Sequence, residues 1–232
     1  MKSRMFHIVT RTWNPVCGCL HNCKYCWARK FAEKLRKRGS RKYKHGFKPS
    51  FHPEEFYKIK YFTDRDVVFV CDMGDLFGEW VDTRWILDVL NAVRKSRATF
   101  LFLTKNPRRY HDFVGVMSDN CILGATIETN RDIMYFRYRI SKAPLPSVRY
   151  KAMRDLGWDR KFISIEPILE FDLDRFVRWI DDINPEFVYI GYDNYGCRLP
   201  EPPIQKTKKL IEELREMGIV VYEKTIRKAW NE

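Results

Sequence analysis

The chain has 232 residues, 45% of them hydrophobic and 31% charged, with a formal net charge of +13. That length builds a core without disulfide staples, and no uncharged apolar run is long enough to cross a bilayer, which excludes a small stapled scaffold and a membrane-spanning protein. The charge is lopsided: residues 1–60 hold sixteen Lys/Arg against three Asp/Glu, and the remainder holds 27 of each sign.

In chain order, Met1–Arg4 leads into Phe6–Thr10, which reads as a first strand rather than a secretory signal. Thr12-Trp-Asn-Pro15 and a cysteine-rich loop follow. A helix is expected over about Tyr25–Arg38, with Trp27, Phe31 and Leu35 inward and Gly39 as its stop. Ser40–Asp64 has no clear periodicity. Asp66–Cys71 is a continuous apolar run of the kind found in strands buried on both faces. A helix over about Thr83–Ser96 is capped by Asp82 or Thr83, with Trp85, Ile86, Val89, Leu90 and Val93 inward. Thr99–Thr104 is the third strand, with a short helix from Pro107, and Cys121–Glu128 is the fourth. Helical stretches around Asp132–Ile140 and Ser147–Leu156 precede a fifth strand, Phe162–Glu166. A helix through Leu173 and Ile180, a sixth strand over Phe187–Gly191, a helix over about Ile204–Met217 and a seventh strand near Ile219–Tyr222 complete the series.

Such alternation implies an α/β fold of parallel strands joined by helical crossovers. Neither GxGxxG nor GxxxxGK[ST] occurs, so a partial (βα) barrel of six or seven strands, TIM-like, is expected over one domain spanning 1–232. A basic, aromatic-rich insertion at about 39–64 interrupts it. Reactive groups of such barrels gather at the carboxyl ends of strands, and polar clusters stand at those places here. They are Asn14 with the cysteine loop, Asp72–Asp75, Thr104–Lys105, Glu128, Glu166–Pro167 and Asp193–Cys197.

Cys19, Cys23 and Cys26 are spaced C-x3-C-x2-C with Tyr25 before the last. Three thiolates suit three irons of a [4Fe–4S] cubane, leaving one iron open to a small molecule. With Cys17 they could instead form an all-thiolate zinc site, although structural zinc ligands usually come as two separated pairs. Cys71 and Cys121 lie in apolar runs and read as buried thiols.

The cysteine spacing resembles the signature of the radical S-adenosylmethionine (SAM) superfamily. Thr12-Trp-Asn-Pro15, Asp75-Leu-Phe77, Leu103-Thr-Lys105 and Ser164-Ile-Glu-Pro167 extend the likeness, over about Thr10–Asn194, to a phage, bacterial and archaeal branch of unknown function. Many members of that branch have a longer insert after the first cysteine, which this chain lacks.

The resemblance implies an enzyme in which Cys19, Cys23 and Cys26 hold the cluster. SAM bound at the open iron would be cleaved to methionine and a 5′-deoxyadenosyl radical, which abstracts hydrogen from a substrate. Tyr25 would pack near adenine, and Met73, Gly74 and Asp75 occupy the place of the stretch that receives SAM's amino group. Thr126 and Glu128 would contact the ribose, and Glu166 SAM or substrate. Cys197 is a candidate to return a hydrogen atom to a substrate radical, against the plainer reading of a loop cysteine. For the carboxylates, helix capping or pairing with an Arg is the alternative.

A thiolate-held cluster requires a reducing compartment, hence the cytoplasm, and a reductase or a flavodoxin- or ferredoxin-type electron donor. The basic stretch Lys24–Lys48, followed by aromatics from Tyr43 to Phe62, suits nucleic acid. It suits an acidic protein partner as well. Nucleic-acid or nucleotide modification or repair is the leading expectation. Peptide modification and a non-catalytic metal-stapled binding module stand beside it.

Overall fold

The computed structural model describes residues 5–232, so Met1–Arg4 lies outside the described residues. Two compact units divide the chain. The first contains the residues up to Asn22, Cys26–Thr104 and Arg109–Leu123, and the second contains Cys23–Tyr25, Lys105–Arg108 and Gly124–Glu232.

In the first unit, strands β1 (Arg11–Trp13) and β2 (Val16–Cys17) precede helix α1 (Trp27–Lys37). Strand β3 (Ser50–Phe51), a 3₁₀ helix over Pro53–Tyr61, β4 (Val67–Val70), helix α2 (Thr83–Arg94) and β5 (Thr99–Thr104) follow. Strand β1 pairs parallel with β4, and β4 pairs parallel with β5. The Val67–Val70 run is mostly buried because it lies between two strands. Asp82 caps α2, its carboxylate accepting from the Arg84 N–H at 2.7 Å, and Ile86, Val89, Leu90 and Val93 are buried as the pattern requires.

Strand β6 (Cys121–Thr126) begins in the first unit, where the Phe100 N–H donates to the Asn120 carbonyl at 2.8 Å. It ends in the second, where the Ile127 N–H donates to the Ser164 carbonyl at 3.0 Å. Helices α3 (Ile133–Arg137) and α4 (Pro146–Arg154), strand β7 (Lys161–Ile165), α5 (Leu173–Ile183), β8 (Phe187–Ile190), α6 (Ile204–Glu216) and β9 (Val220–Glu223) complete the second unit. There β7 pairs parallel with β8, and β8 with β9. Asn184 ends α5 in the left-handed region at φ 51°.

Three expectations need correction. The first strand is Arg11–Trp13, not Phe6–Thr10. Phe6 and Val9 are buried, but the Val9 N–H donates to the Phe6 carbonyl in a turn, and ladder pairing starts only at Arg11 opposite Val68. The inner face of α1 is Ala28 and Ala32, with Trp27 and Leu35 packed against the same cluster as expected, while Phe31 is 43% exposed. Two alanines let the helix approach Tyr43, Phe47 and Met73 closely, which turns the larger Phe31 outward. Residues 39–64 are also less irregular than expected: β3 pairs antiparallel with β2, and Trp13 donates from Nε1 to the Glu55 carbonyl at 3.0 Å. Among the described residues no helix is long and apolar enough to cross a membrane.

Gly124 lies mid-β6, where an added methyl would enter the Phe162 ring. Gly124→Ala is expected to cost about 1–3 kcal/mol, read as a lower denaturant midpoint. Gly157→Ala, with open space around it, should leave the midpoint unchanged.

Candidate cofactor site at the cysteine loop

The cysteine loop is built from short-range constraints that differ in the two units. In the first, Gly18 has φ +86°, and a side chain there would strike the Lys48 carbonyl, so only glycine fits. The Gly18 N–H donates to the Met73 carbonyl at 2.9 Å, and the Cys19 N–H to the Phe47 carbonyl at 3.2 Å. Gly74 permits a close approach of backbone: an added Cβ would lie 3.1 Å from the Gly18 carbonyl oxygen and 3.2 Å from Cys17. That approach is to the cysteine loop itself. Asn14 ties the same segment down, donating to Asp72 at 2.5 Å and accepting from the Met73 N–H at 3.0 Å.

His21, between two of the cysteines, places Nε2 2.9 Å from the Asp75 carboxylate, both side chains being buried. Asp75 also accepts from the Thr104 hydroxyl at 2.6 Å and the Phe77 N–H at 3.1 Å. Its carboxylate therefore links the end of β5 and the turn after β4 to the cysteine loop. Cys26 is the N-cap of α1, its sulfur accepting from the Arg29 N–H at 3.4 Å. A helix N-terminus favours the thiolate form.

Cys17 belongs to the core instead. Its thiol lies 3.6 Å from the Tyr43 hydroxyl, and burial pushes it up to about 11 against the opposing pull of Lys42. Its sulfur is thus engaged inside the core formed with Ala28, Ala32, Tyr43, Phe47 and Met73. Cys71 is likewise buried and pushed well up by desolvation.

In the second unit Cys23 lies 3.2 Å from the Ser141 hydroxyl, and the Lys24 N–H donates to the Ile140 carbonyl at 3.0 Å. Tyr25 turns inward and donates to Glu128. Glu128 is fully buried and also receives Lys105, the Tyr135 hydroxyl at 2.8 Å and Arg149 at 2.9 Å. Burial alone would raise its carboxyl, but the Arg149 and Lys105 charges outweigh it and hold the group at about 2. Lys105 Nζ also stands 5.1 Å from the centre of the Tyr25 ring. Burial and the Glu128 charge push the Tyr25 phenol well up, so it remains a donor.

Thr126 is buried, and its carbonyl accepts from Arg149. Glu166 pairs with Lys224 at 2.9 Å and accepts from Ser164 at 3.3 Å, yet burial still raises its carboxyl. Cys197 is half-buried. Its N–H donates to Asp193 at 2.6 Å, and its thiol lies 3.7 Å from the Lys24 carbonyl.

The structure thus brings Tyr25, Thr126 and Glu128 together in one unit with Cys23 and Cys197 close by in the bonding pattern. Met73, Gly74 and Asp75 gather in the other with Cys19 and Cys26. His21, Tyr135 and Arg149 went unread, and Lys105 was read only as part of the polar cluster at the end of the third strand. Among the described residues no three His, Cys, Asp or Glu side chains converge closely enough to hold a metal ion. The fit to an iron–sulfur cluster is one of donor chemistry: Cys19, Cys23 and Cys26 form no disulfide and lie on one short loop, one of them at a helix N-terminus.

Several solved structures share this fold. A spore photoproduct lyase variant with bound AdoMet and dinucleoside spore photoproduct is 11% identical with a TM-score of 0.57, covering 88% of this chain and 61% of the lyase. SuiB of Streptococcus suis bound to S-adenosylmethionine is 9% identical, TM-score 0.57, covering 93% of this chain and 50% of SuiB. A radical SAM methyltransferase from Sphaerobacter thermophilus is 13% identical, TM-score 0.59, covering 95% and 67% respectively. The chain therefore spans about three-fifths of that lyase and half of SuiB.

These likenesses define the class: the expected α/β partial barrel, parallel strands with helical crossovers, is the fold of radical SAM enzymes. The chain itself belongs to the family described as "Protein of unknown function (DUF5131)", which matches residues 5–181. No curated protein matches it.

Glu128→Gln should cost about 3–5 kcal/mol at neutral pH, because it strands the buried Arg149 charge. Glu128 titrates lower in the folded chain than its ordinary 4.5, so its contribution is complete above that value and is lost as pH falls toward about 2. Thermal melts across that window should therefore fall more steeply for the wild type than for the variant.

Proposed function

We propose that the protein is a radical SAM enzyme acting on nucleic acid or a nucleotide. The observation that carries the reading is the C-x3-C-x2-C cysteine set on the loop after β1 and β2, in a chain with the fold of radical SAM enzymes. Cys19, Cys23 and Cys26 would hold a [4Fe–4S] cluster, which would supply the one-electron reducing chemistry for SAM cleavage.

The chain's own residues then orient and shield. His21, through Asp75 and Thr104, fixes the loop between the first two cysteines. The Gly18–Met73 backbone bond fixes where that loop begins. Tyr25 is held by Glu128, which sets the turn between the second and third cysteines. Asp75 and Glu128 are engaged by protein groups, so each acts by positioning its neighbours. Glu166, whose carboxyl burial raises, is the group at a strand end best suited to donate or receive a proton near a bound substrate. Cys197, its sulfur directed at the Lys24 carbonyl, is retained as the hydrogen-atom donor.

Three observations support the nucleic-acid part. The excess charge lies wholly in the first 60 residues. Tyr57 and Tyr61 are each 59% exposed beside Lys58 and Lys60. The lyase neighbour holds a dinucleoside photoproduct. Most other aromatics of that stretch are spent on packing: Tyr43 and Phe47 are buried, and Phe51 stacks on Trp85 at 5.3 Å. A reducing compartment, the cytoplasm, and an acidic electron donor go with this reading.

Replacing Cys19, Cys23 and Cys26 by Ala should abolish both iron binding and 5′-deoxyadenosine formation after anaerobic reconstitution and dithionite reduction. Cys17→Ala should retain both. Iron retained in the triple variant would sink the ligand assignment. A Lys34→Ala/Lys37→Ala variant should weaken single-strand binding and reduce its log–log salt slope by about 1.4. A salt-independent affinity would favour a peptide substrate, as in the SuiB neighbour bound to precursor peptide SuiA.

A further inference from the structure

Helix α3 is a single turn, too short to persist by itself, so its position is set by what it buries. Met134 and Tyr135 face inward, packing with Ile140, Leu169 and Leu199, and the Tyr135 hydroxyl donates to Glu128. The outer face is the opposite of what folding requires. Ile133 is 67% exposed and Phe136 is 65% exposed. Three residues apart, they are neighbours on one helical face. Arg137, Arg139 and Lys142 are exposed around them. Ile140 and Ser141, at the end of the same segment, bond Lys24 and Cys23 of the cysteine loop.

We propose that Ile133–Lys142 is a nucleic-acid surface, in which Ile133 and Phe136 press against an unstacked base while Arg137, Arg139 and Lys142 take the flanking phosphates. The inference rests on the nucleic-acid reading above and deepens it, placing the opened base beside the cysteine loop. Charge complementarity selects the occupant, since Ile133–Lys142 offers three exposed cations and no acidic residue. Size selects it as well. A protein interface needs roughly 20–30 residues a side, whereas two adjacent apolar side chains match the face of one base. Apolar wedges of this kind unstack a base step, and chemistry on a base requires the base outside its stack. The rigid inner side, tied to Glu128, gives the wedge something to push from.

The test uses the full chain and two variants, Ile133→Ala/Phe136→Ala and Arg137→Ala/Arg139→Ala. The probes are a fluorescein-labelled single strand of roughly 20 nucleotides, spanning one or two stacking sites, and a duplex carrying one 2-aminopurine. All four side chains are exposed, so thermal midpoints should stay at the wild-type value. The apolar variant should bind the single strand about 5- to 100-fold more weakly and lose the 2-aminopurine fluorescence rise. The arginine variant should lose affinity with a salt slope smaller by about 1.4. Wild-type affinity and fluorescence in both variants overturn the surface, as does a defect confined to reduction by an acidic electron-transfer protein. Wild-type binding and unstacking without SAM cleavage would support the surface and retire the radical SAM reading. SAM cleavage by a wild type that binds neither probe would do the reverse.

Discussion

A carboxylate without solvent contact must be neutralised where it stands, and Glu128 meets that requirement with Arg149, Lys105 and two phenols. Much of the second unit's functional geometry follows from it. Arg149 reaches Glu128 and the Thr126 carbonyl together, which binds α4 to the end of β6. Tyr135 turns one side of α3 inward and so turns Ile133 and Phe136 outward. Tyr25 is drawn down between two cysteines. Removing any one partner leaves a buried charge or donor unmatched, which gives the arrangement its rigidity.

The first unit solves a similar problem with weaker means. Asp75 takes His21, Thr104 and a backbone N–H as partners, and the loop's course is set mainly by main-chain bonds at Gly18 and Cys19. Close contact between the Gly18 and Gly74 backbones replaces side-chain packing there. Both devices act on the loop that carries Cys19, Cys23 and Cys26. Cys23 is buried and the other two are partly so, and the loop's fixation falls to the residues between and before them.

The alternating strands and helices were legible because each buried strand is an uninterrupted apolar run. Thr99–Thr104 was read to the residue, and most others within one or two. The first strand was misplaced because burial and ladder pairing separate at Phe6–Val9. The face of α1 was misread because hydrophobic size pointed to Phe31, whereas close approach required Ala28 and Ala32. Strands β2 and β3 are two residues each and far apart in sequence, too short to carry a period. At the site, acidic and amide side chains at strand ends were visible as a class. Their partners were not: Arg149 lies 21 positions after Glu128, on α4, and nothing local marks it from the exposed arginines. His21 carried no signal of its own in the sequence, and only the fold reveals its bond to Asp75.

The central claim is that Cys19, Cys23 and Cys26 hold a cluster with one iron open to SAM. Electron paramagnetic resonance of the anaerobically reconstituted, reduced full chain, recorded with and without SAM, tests it most directly. The account predicts the signal of a reduced [4Fe–4S] cluster whose g-values shift when SAM is added. A protein that binds zinc in place of iron, or a cluster signal indifferent to SAM, would contradict it.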